Sequence, residues 1–238
     1  MSKKIKLLIV LITIIVVIGL VCGIRAIRNF IVLNTTISKL EDNIEKDNYY
    51  LKTTLKMKDK TTVTEAYYRN GIGKLVSSEG IYSWVNGEKA YMVDETDKKI
   101  YNMEISSENS SALVSKEMFV SLIPGTSKNI FQRFLMSGNL KNSITSEEVN
   151  GEKCYKIKIK EETITKTVWV TKSRRLPVKS TIEFSNGEFF EYEYSLKFYI
   201  TKLKDMEFPD ITEYTFYDYK TKEKISESEK IQENNVSN

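Results

Sequence analysis

The side chains that usually carry covalent or acid–base chemistry are sparse in this sequence. There is no histidine among its 238 residues, which removes Ser-His-Asp and Cys-His activation and the usual zinc ligand sets. The two cysteines are Cys22 and Cys154. Cys22 sits in an apolar run, where it reads as a small apolar residue. A lipidated cysteine is the lesser alternative, because Val21 stands where a bacterial lipoprotein signal needs Gly or Ala. Cys154 lies among lysines in a strand pattern, the setting of a buried, inert thiol. One cysteine beyond the run leaves no internal disulfide there. The carboxylate pairs Glu147-Glu148 and Glu161-Glu162 read as solvated turn charges. Gly71-Ile72-Gly73-Lys74 lacks the spacing of a phosphate-binding loop and reads as a hairpin turn. Lys172, Arg174 and Arg175, before Pro177, read as an exposed turn rather than an anion or headgroup site. No enzyme, cofactor or metal centre is expected.

What the chain does offer is apolar and aromatic surface, with 14 Tyr and 10 Phe, so the elements that would position it matter most. Leu7 to Ile24 is 18 residues without a charge, about the minimum for a membrane-spanning helix. Lys3, Lys4 and Lys6 precede it and Arg25 and Arg28 follow, a slight bias toward a cytoplasmic N-terminus. Ile24, Arg25 and Ala26 lack the small-x-small pattern of a cleavage site, so a retained signal anchor is expected. Those five basic residues account for the net charge of +4; beyond them 31 basic residues face 32 acidic ones. Nucleic acid is therefore not an expected partner.

After the run, Ile27, Ile31, Leu33, Ile37, Leu40 and Ile44 recur at mostly helical spacing and predict an amphipathic helix packed on its own domain. From Tyr49 the pattern changes to strands, predicted near 49–58, 61–69, 72–79, 81–85, 89–94 and 98–103, then near 141–149, 153–160, 163–171, 178–184 and 188–199. Asn70-Gly71, Asn86-Gly87, Asn150-Gly151 and Asn186-Gly187 predict type I′ hairpin turns. Between the two β runs, Met118, Phe119, Leu122 and Ile123 form one helical stripe and Ile130, Phe131, Phe134 and Leu135 another, separated by Pro124-Gly125. Phe190, Tyr192, Tyr194, Leu196 and Phe198 alternate with Glu191, Glu193, Ser195 and Lys197, as in a strand with one covered face. The expected fold is mainly β with α: a curved antiparallel sheet covered by short helices and preceded by an N-terminal transmembrane helix. Residues 1–33 form the cytoplasmic end and anchor, 34–219 the domain, and 220–238 a polar tail too poor in apolar residues to pack.

The order of parts, with Val168-Trp169-Val170-Thr171-Lys172-Ser173-Arg174-Arg175-Leu176-Pro177-Val178-Lys179 followed by Asn186-Gly187-Glu188 and Asp205-Met206-Glu207-Phe208-Pro209-Asp210, resembles the bacterial lipoprotein-carrier (LolA-like) superfamily over roughly residues 34–217. The resemblance implies a half-barrel closed by helices around an apolar cavity that in relatives holds acyl chains or lipids. It also implies relatives in envelope and spore-coat assembly, some anchored in Gram-positive membranes. The cavity candidates here are Phe119, Leu122, Phe131, Phe134, Tyr192 and Tyr194. The expected partners are the membrane and a lipid or lipoprotein ligand, in a single-pass cell-membrane protein whose C-terminal domain lies outside the cytoplasm. The alternative is a scaffold or regulatory protein with a filled core, which acts through strand edges on a second copy or another envelope protein.

Overall fold

The apolar run leads straight into the folded domain. In this computed structural model, which describes residues 3–44, 48–69, 71–77, 81–86, 89–104, 123–198 and 210–225, Lys3–Ile44 is one helix, α1. It is the described helix long and apolar enough to cross a membrane. Side chains from Ile9 to Ile24 are exposed, and then one face becomes buried: Ala26, Asn29, Leu33, Thr36, Ile37 and Leu40. Their three- and four-residue spacing keeps them on one side of the helix. The Thr36 hydroxyl donates to the Val32 carbonyl at 2.7 Å, so this buried polar group is satisfied within the helix. Leu33, Ile37 and Leu40 thus pack as expected, whereas Ile27 and Ile31 lie on a different face and are exposed.

The strands follow in chain order: β1 (Asn48–Lys56), β2 (Thr61–Arg69), β3 (Ile72–Ser77), β4 (Ile81–Asn86), β5 (Lys89–Asp94) and β6 (Lys99–Glu104). Then come helix α2 (Ile130–Gly138), β7 (Ser143–Val149), β8 (Glu152–Lys160), β9 (Ile164–Thr171), β10 (Pro177–Phe184), β11 (Phe189–Phe198), a short 3-10 turn at Ile211–Glu213, and β12 (Thr215–Asp218). The chain is mainly β, as the alternating pattern predicts, and it divides into two compact units. One comprises Met1–Leu40 with Val120–Glu188, the other Glu41–Phe119 with Phe189–Asn238.

In the first unit α1 and α2 accompany an antiparallel sheet in the order β10-β9-β8-β7. Ile144, Cys154, Ile157, Ile159, Val168, Val170 and Leu176 are buried in it. Asn150 and Gly151 both have positive φ, 50° and 79°, as a type I′ turn requires. The turn after β10 differs from expectation. Only Gly187 there has positive φ (87°), and Gly187 N–H donates to Phe184 O while Phe184 N–H donates to Glu188 O. This is a type I turn closed by a glycine bulge, the three-residue alternative to type I′.

The second unit holds β12-β6-β5-β4-β3-β2-β1-β11. All its pairings are antiparallel except β12 with β6, which is parallel. Tyr82, Trp84, Tyr91, Val93, Ile100, Tyr214 and Phe216 form its buried cluster. Along β1 and β11, Leu51 faces Leu196, Thr53 faces Tyr194 and Leu55 faces Tyr192 on the apolar side. On the other side Lys56 lies 2.6 Å from Glu193 and 3.7 Å from Glu191, and Lys52 pairs with Glu65 at 3.0 Å. Strand β12 was not foreseen from the sequence, since four residues are too few for a periodic signal. Beyond it, Lys220–Ile225 turn back: Ile225 N–H donates to Phe216 O, and the Asp218 carboxylate accepts from the N–H groups of Lys220 and Thr221.

Two substitutions test this packing. Ile37→Ala, at a fully buried position, should cost about 2–5 kcal/mol. Gly151→Ala, where a methyl meets nothing within 4 Å, should cost only the left-handed backbone penalty of about 1–2 kcal/mol. Denaturant unfolding of the full chain in detergent, followed by near-ultraviolet circular dichroism, would read both.

Candidate functional site

The segment after Pro124 is built around Gly125 and Arg133. Gly125 has φ of +91°, which favours glycine, while a Cβ there would press on the flexible end of the Met136 side chain, 2.6 Å away at Cε. The Arg133 guanidinium donates to Gly125 O at 3.0 Å, Thr126 O at 3.1 Å and Asn34 Oδ1 at 3.1 Å, tying the loop, α2 and α1 together. The start of α2 is a capping box: Asn129 Oδ1 accepts from Gln132 N–H at 2.9 Å and Gln132 Oε1 accepts from Asn129 N–H at 3.1 Å. Two hydrogen bonds and a ring contact align α2 beside α1. Asn29 Nδ2 donates to Ser137 O, Arg133 bonds Asn34, and the Phe30 and Phe134 rings meet edge to face at 5.6 Å. A methyl on Gly138 would reach Ala26 Cβ at 3.6 Å, so the two helices run antiparallel and close.

The consequence is an amphipathic helix turned outward. Arg133, Met136 and Ser137 take the packed side, while Ile130, Phe131, Phe134 and Leu135 are exposed. Sequence periodicity gives the stripe but assigns it to the packing side. The reversal follows from Arg133, whose three acceptors lie on the inner side, where leaving them unpaired would be costly.

Of the cavity candidates, Phe131 and Phe134 therefore lie on the outward face of α2 in the first unit, 66% and 41% exposed. Tyr192 and Tyr194 neighbour each other on the apolar side of β11 in the second unit, with rings nearly parallel at 6.3 Å and Tyr194 buried. Phe119 and Leu122 lie outside the described residues, as does most of the helix expected near 118–123. Sequence reasoning did not single out Ile130, Leu135 or Leu140 as site residues, although each is exposed beside these phenylalanines in the chain. An open depression of about 380 Å³ lies on the first unit, lined by Lys128, Gln132, Leu135, Met136, Asn142 and Lys160 among others. Its polar lining suits water better than an acyl chain.

Most groups that could have supported other chemistry are engaged. Arg174 pairs with Glu152 at 3.3 Å, Lys172 Nζ donates to Ser146 Oγ, and Lys172 and Arg175 both lie over the Tyr155 ring, with Nε and Nη1 of Arg175 buried and without a hydrogen-bond partner among the described residues. Glu147 is held below the usual carboxylate range by its hydrogen bond from Lys156, at 2.8 Å. Burial pushes the Cys154 thiol up, away from a reactive thiolate. No cluster of metal-ligating side chains occurs among the described residues.

No protein-family model and no curated protein matches the chain. Solved structures do. An uncharacterized conserved protein from Thermus thermophilus is 5% identical, with 74% of this chain and 94% of that one covered and a TM-score of 0.48. A LolA superfamily protein from Nitrosomonas europaea is 9% identical, with 73% and 96% covered and a TM-score of 0.29. The Pseudomonas aeruginosa MucA/MucB complex contributes a chain 10% identical, with 74% and 61% covered and a TM-score of 0.41. Likeness of this degree does not choose a function.

Cys154 provides a check on the first unit. In the folded Cys22→Ser chain iodoacetamide should modify Cys154 far more slowly than after denaturation. Equal rates in the two states would contradict the burial. Mass spectrometry of the alkylated peptide follows the reaction.

Proposed function

We propose that this chain is a membrane-anchored, extracytoplasmic, non-enzymatic binding protein that handles an acyl chain of a lipid or lipoprotein in envelope or spore assembly. The observation that carries the reading is α1. One helix is bare along Ile9–Ile24 and packed from Ala26 to Leu40, which is what an anchor continuous with its domain looks like. The apolar side of β1 and β11 in the second unit and, separately, the phenylalanines of α2 in the first offer surface to an acyl chain, each buried methylene contributing about 0.8 kcal/mol. Phe131, Phe134, Tyr192 and Tyr194 are the described candidates for that contact, with Phe119 and Leu122 beside them in the sequence.

A second reading, a scaffold that recruits a protein partner through a strand edge, draws on β7. Among the described residues β7 pairs with β8 alone, and past Ile144, whose carbonyl accepts from Arg28, its other edge is available for strand addition. The charges of Glu147 and Glu148 disfavour unselective pairing there.

Mass spectrometry of the protein extracted from its native membrane separates the two readings. The expected result is an uncleaved, unacylated polypeptide that retains a lipid, with the lipid largely lost in Phe131→Ser/Phe134→Ser. Wild-type protein that is folded and free of lipid would remove the acyl-chain reading and leave the scaffold. Protease added to intact, wall-stripped cells should digest the β domain, and full protection would reverse the topology.

A further inference from the structure

Among the described residues the outward apolar face of α2 has no partner, and its place in the fold indicates what covers it. Ile130, Phe131 and Leu135 are 64%, 66% and 57% exposed, and Leu140, just past the helix, is 69% exposed. Ile27 and Ile31, on the neighbouring helix α1, are exposed as well. Isolated exposed apolar residues need no explanation, but a cluster of this kind on a helix whose Arg133 and Ser137 point inward marks a contact surface. The first unit alone contains all of it.

We propose that this face seats on the bilayer leaflet from which α1 emerges, giving the domain a second, interfacial contact with the membrane besides its anchor. The inference rests on the anchored reading above and goes beyond it. Its first support is height. Helix residues rise 1.5 Å each, so Ala26, level with Gly138, stands about 3 Å beyond Ile24, and Arg133, five residues back along α2, stands about 10 Å beyond it. The headgroup region of one leaflet is about 5–8 Å thick. The C-terminal end of α2, with Leu135 and Leu140, therefore falls at headgroup depth, and an ordinary tilt of about 20° toward α2 lowers the rest of the face.

The second support is continuity. The patch does not sit on a remote surface but adjoins the bare side of the anchor through Ala26–Gly138 and Phe30–Phe134. Arg25 and Arg28 fix that junction, donating to Asn142 O at 2.6 Å and Ile144 O at 2.9 Å, so the domain is held against the end of the span. The third support is charge. Lys141 is exposed directly beside Leu140 at the end nearest the leaflet, the arrangement in which apolar groups enter the acyl boundary while cations meet anionic headgroups. A second copy seated about this end of the face would instead bring the two Lys141 side chains together.

The test uses the full chain, with Cys22→Ser and Cys154→Ala, in phosphatidylcholine–phosphatidylglycerol vesicles. Single spin labels are placed through Ile15→Cys, Leu135→Cys, Leu140→Cys, Ile130→Cys and, on β9, Lys166→Cys. Power saturation with oxygen and with a water-soluble nickel chelate then ranks depth. The expected order is Ile15 deepest, Leu140 and Leu135 at the interface with oxygen accessibility several-fold above nickel, Ile130 shallower, and Lys166 aqueous. Labels at Leu135 and Leu140 as aqueous as Lys166, with Ile15 in lipid, would overturn the interfacial contact and leave the anchor standing. An aqueous Ile15 would overturn the anchor, and the inference with it. Spin–spin broadening at Leu140 that disappears on dilution with unlabelled protein would show that a second copy covers the face and would also overturn it. Circular dichroism confirms that each exposed-site variant is folded.

Discussion

The junction of Arg25 and Arg28 with the start of β7 is the constraint on which the first unit depends. These are the first charges after the apolar run, and each spends its guanidinium on a backbone carbonyl, of Asn142 and of Ile144. Asn142 is buried and fully engaged: its Nδ2 donates to Met136 O at 2.9 Å and its Oδ1 accepts from Lys160 N–H at 3.0 Å. One asparagine thereby joins α1, the end of α2, β7 and β8. Polar groups buried this way are costly to leave unpaired, so the four elements hold one another in register. The rotation of α1 about its axis follows from the same bonds, because Arg25, Arg28 and Asn29 must face the sheet and α2. That rotation buries Leu33, Ile37 and Leu40 and leaves Ile27 and Ile31 outside.

The pattern of strands was legible because two local signals agreed. Asn-Gly turns and two-residue alternation marked the same boundaries, and β2 and β5 fall on their expected residues. What local signals could not give was direction. A helical stripe reports that Ile130, Phe131, Phe134 and Leu135 share a face, not which way the face points; only the tertiary acceptors of Arg133 decide that. Likewise Asn186-Gly187 names a tight turn, while the choice between type I′ and a glycine-bulged type I turn lies with the flanking register. Strand β12 depended on a parallel, long-range pairing with β6, which leaves no trace in a stretch as short as Thr215–Asp218. The candidate site was readable as a set of aromatic residues and not as a geometry, since its members are distributed over two compact units.

The chemistry that is present is correspondingly physical. Cations that could have formed an anion site are spent on the Tyr155 ring and on Glu152, and Lys156 and Lys179 lie over the Trp169 ring. Charged groups in this fold mainly fasten strands to one another, as Lys52 and Lys56 do across β1 and its neighbours. Such exposed pairs contribute little individually, and the buried aliphatic and aromatic residues carry the stability.

The unbroken path of α1 has a further consequence for how a ligand would be met. With no loop between Ile24 and Leu40, the first unit has no tether length over which to swing, and were α1 to span a bilayer its orientation to the normal would be that of the helix itself. A protein so mounted in a membrane does not search the surrounding volume. It samples one leaflet by lateral diffusion, and its encounters with lipids are governed by their density in two dimensions rather than by any concentration in water.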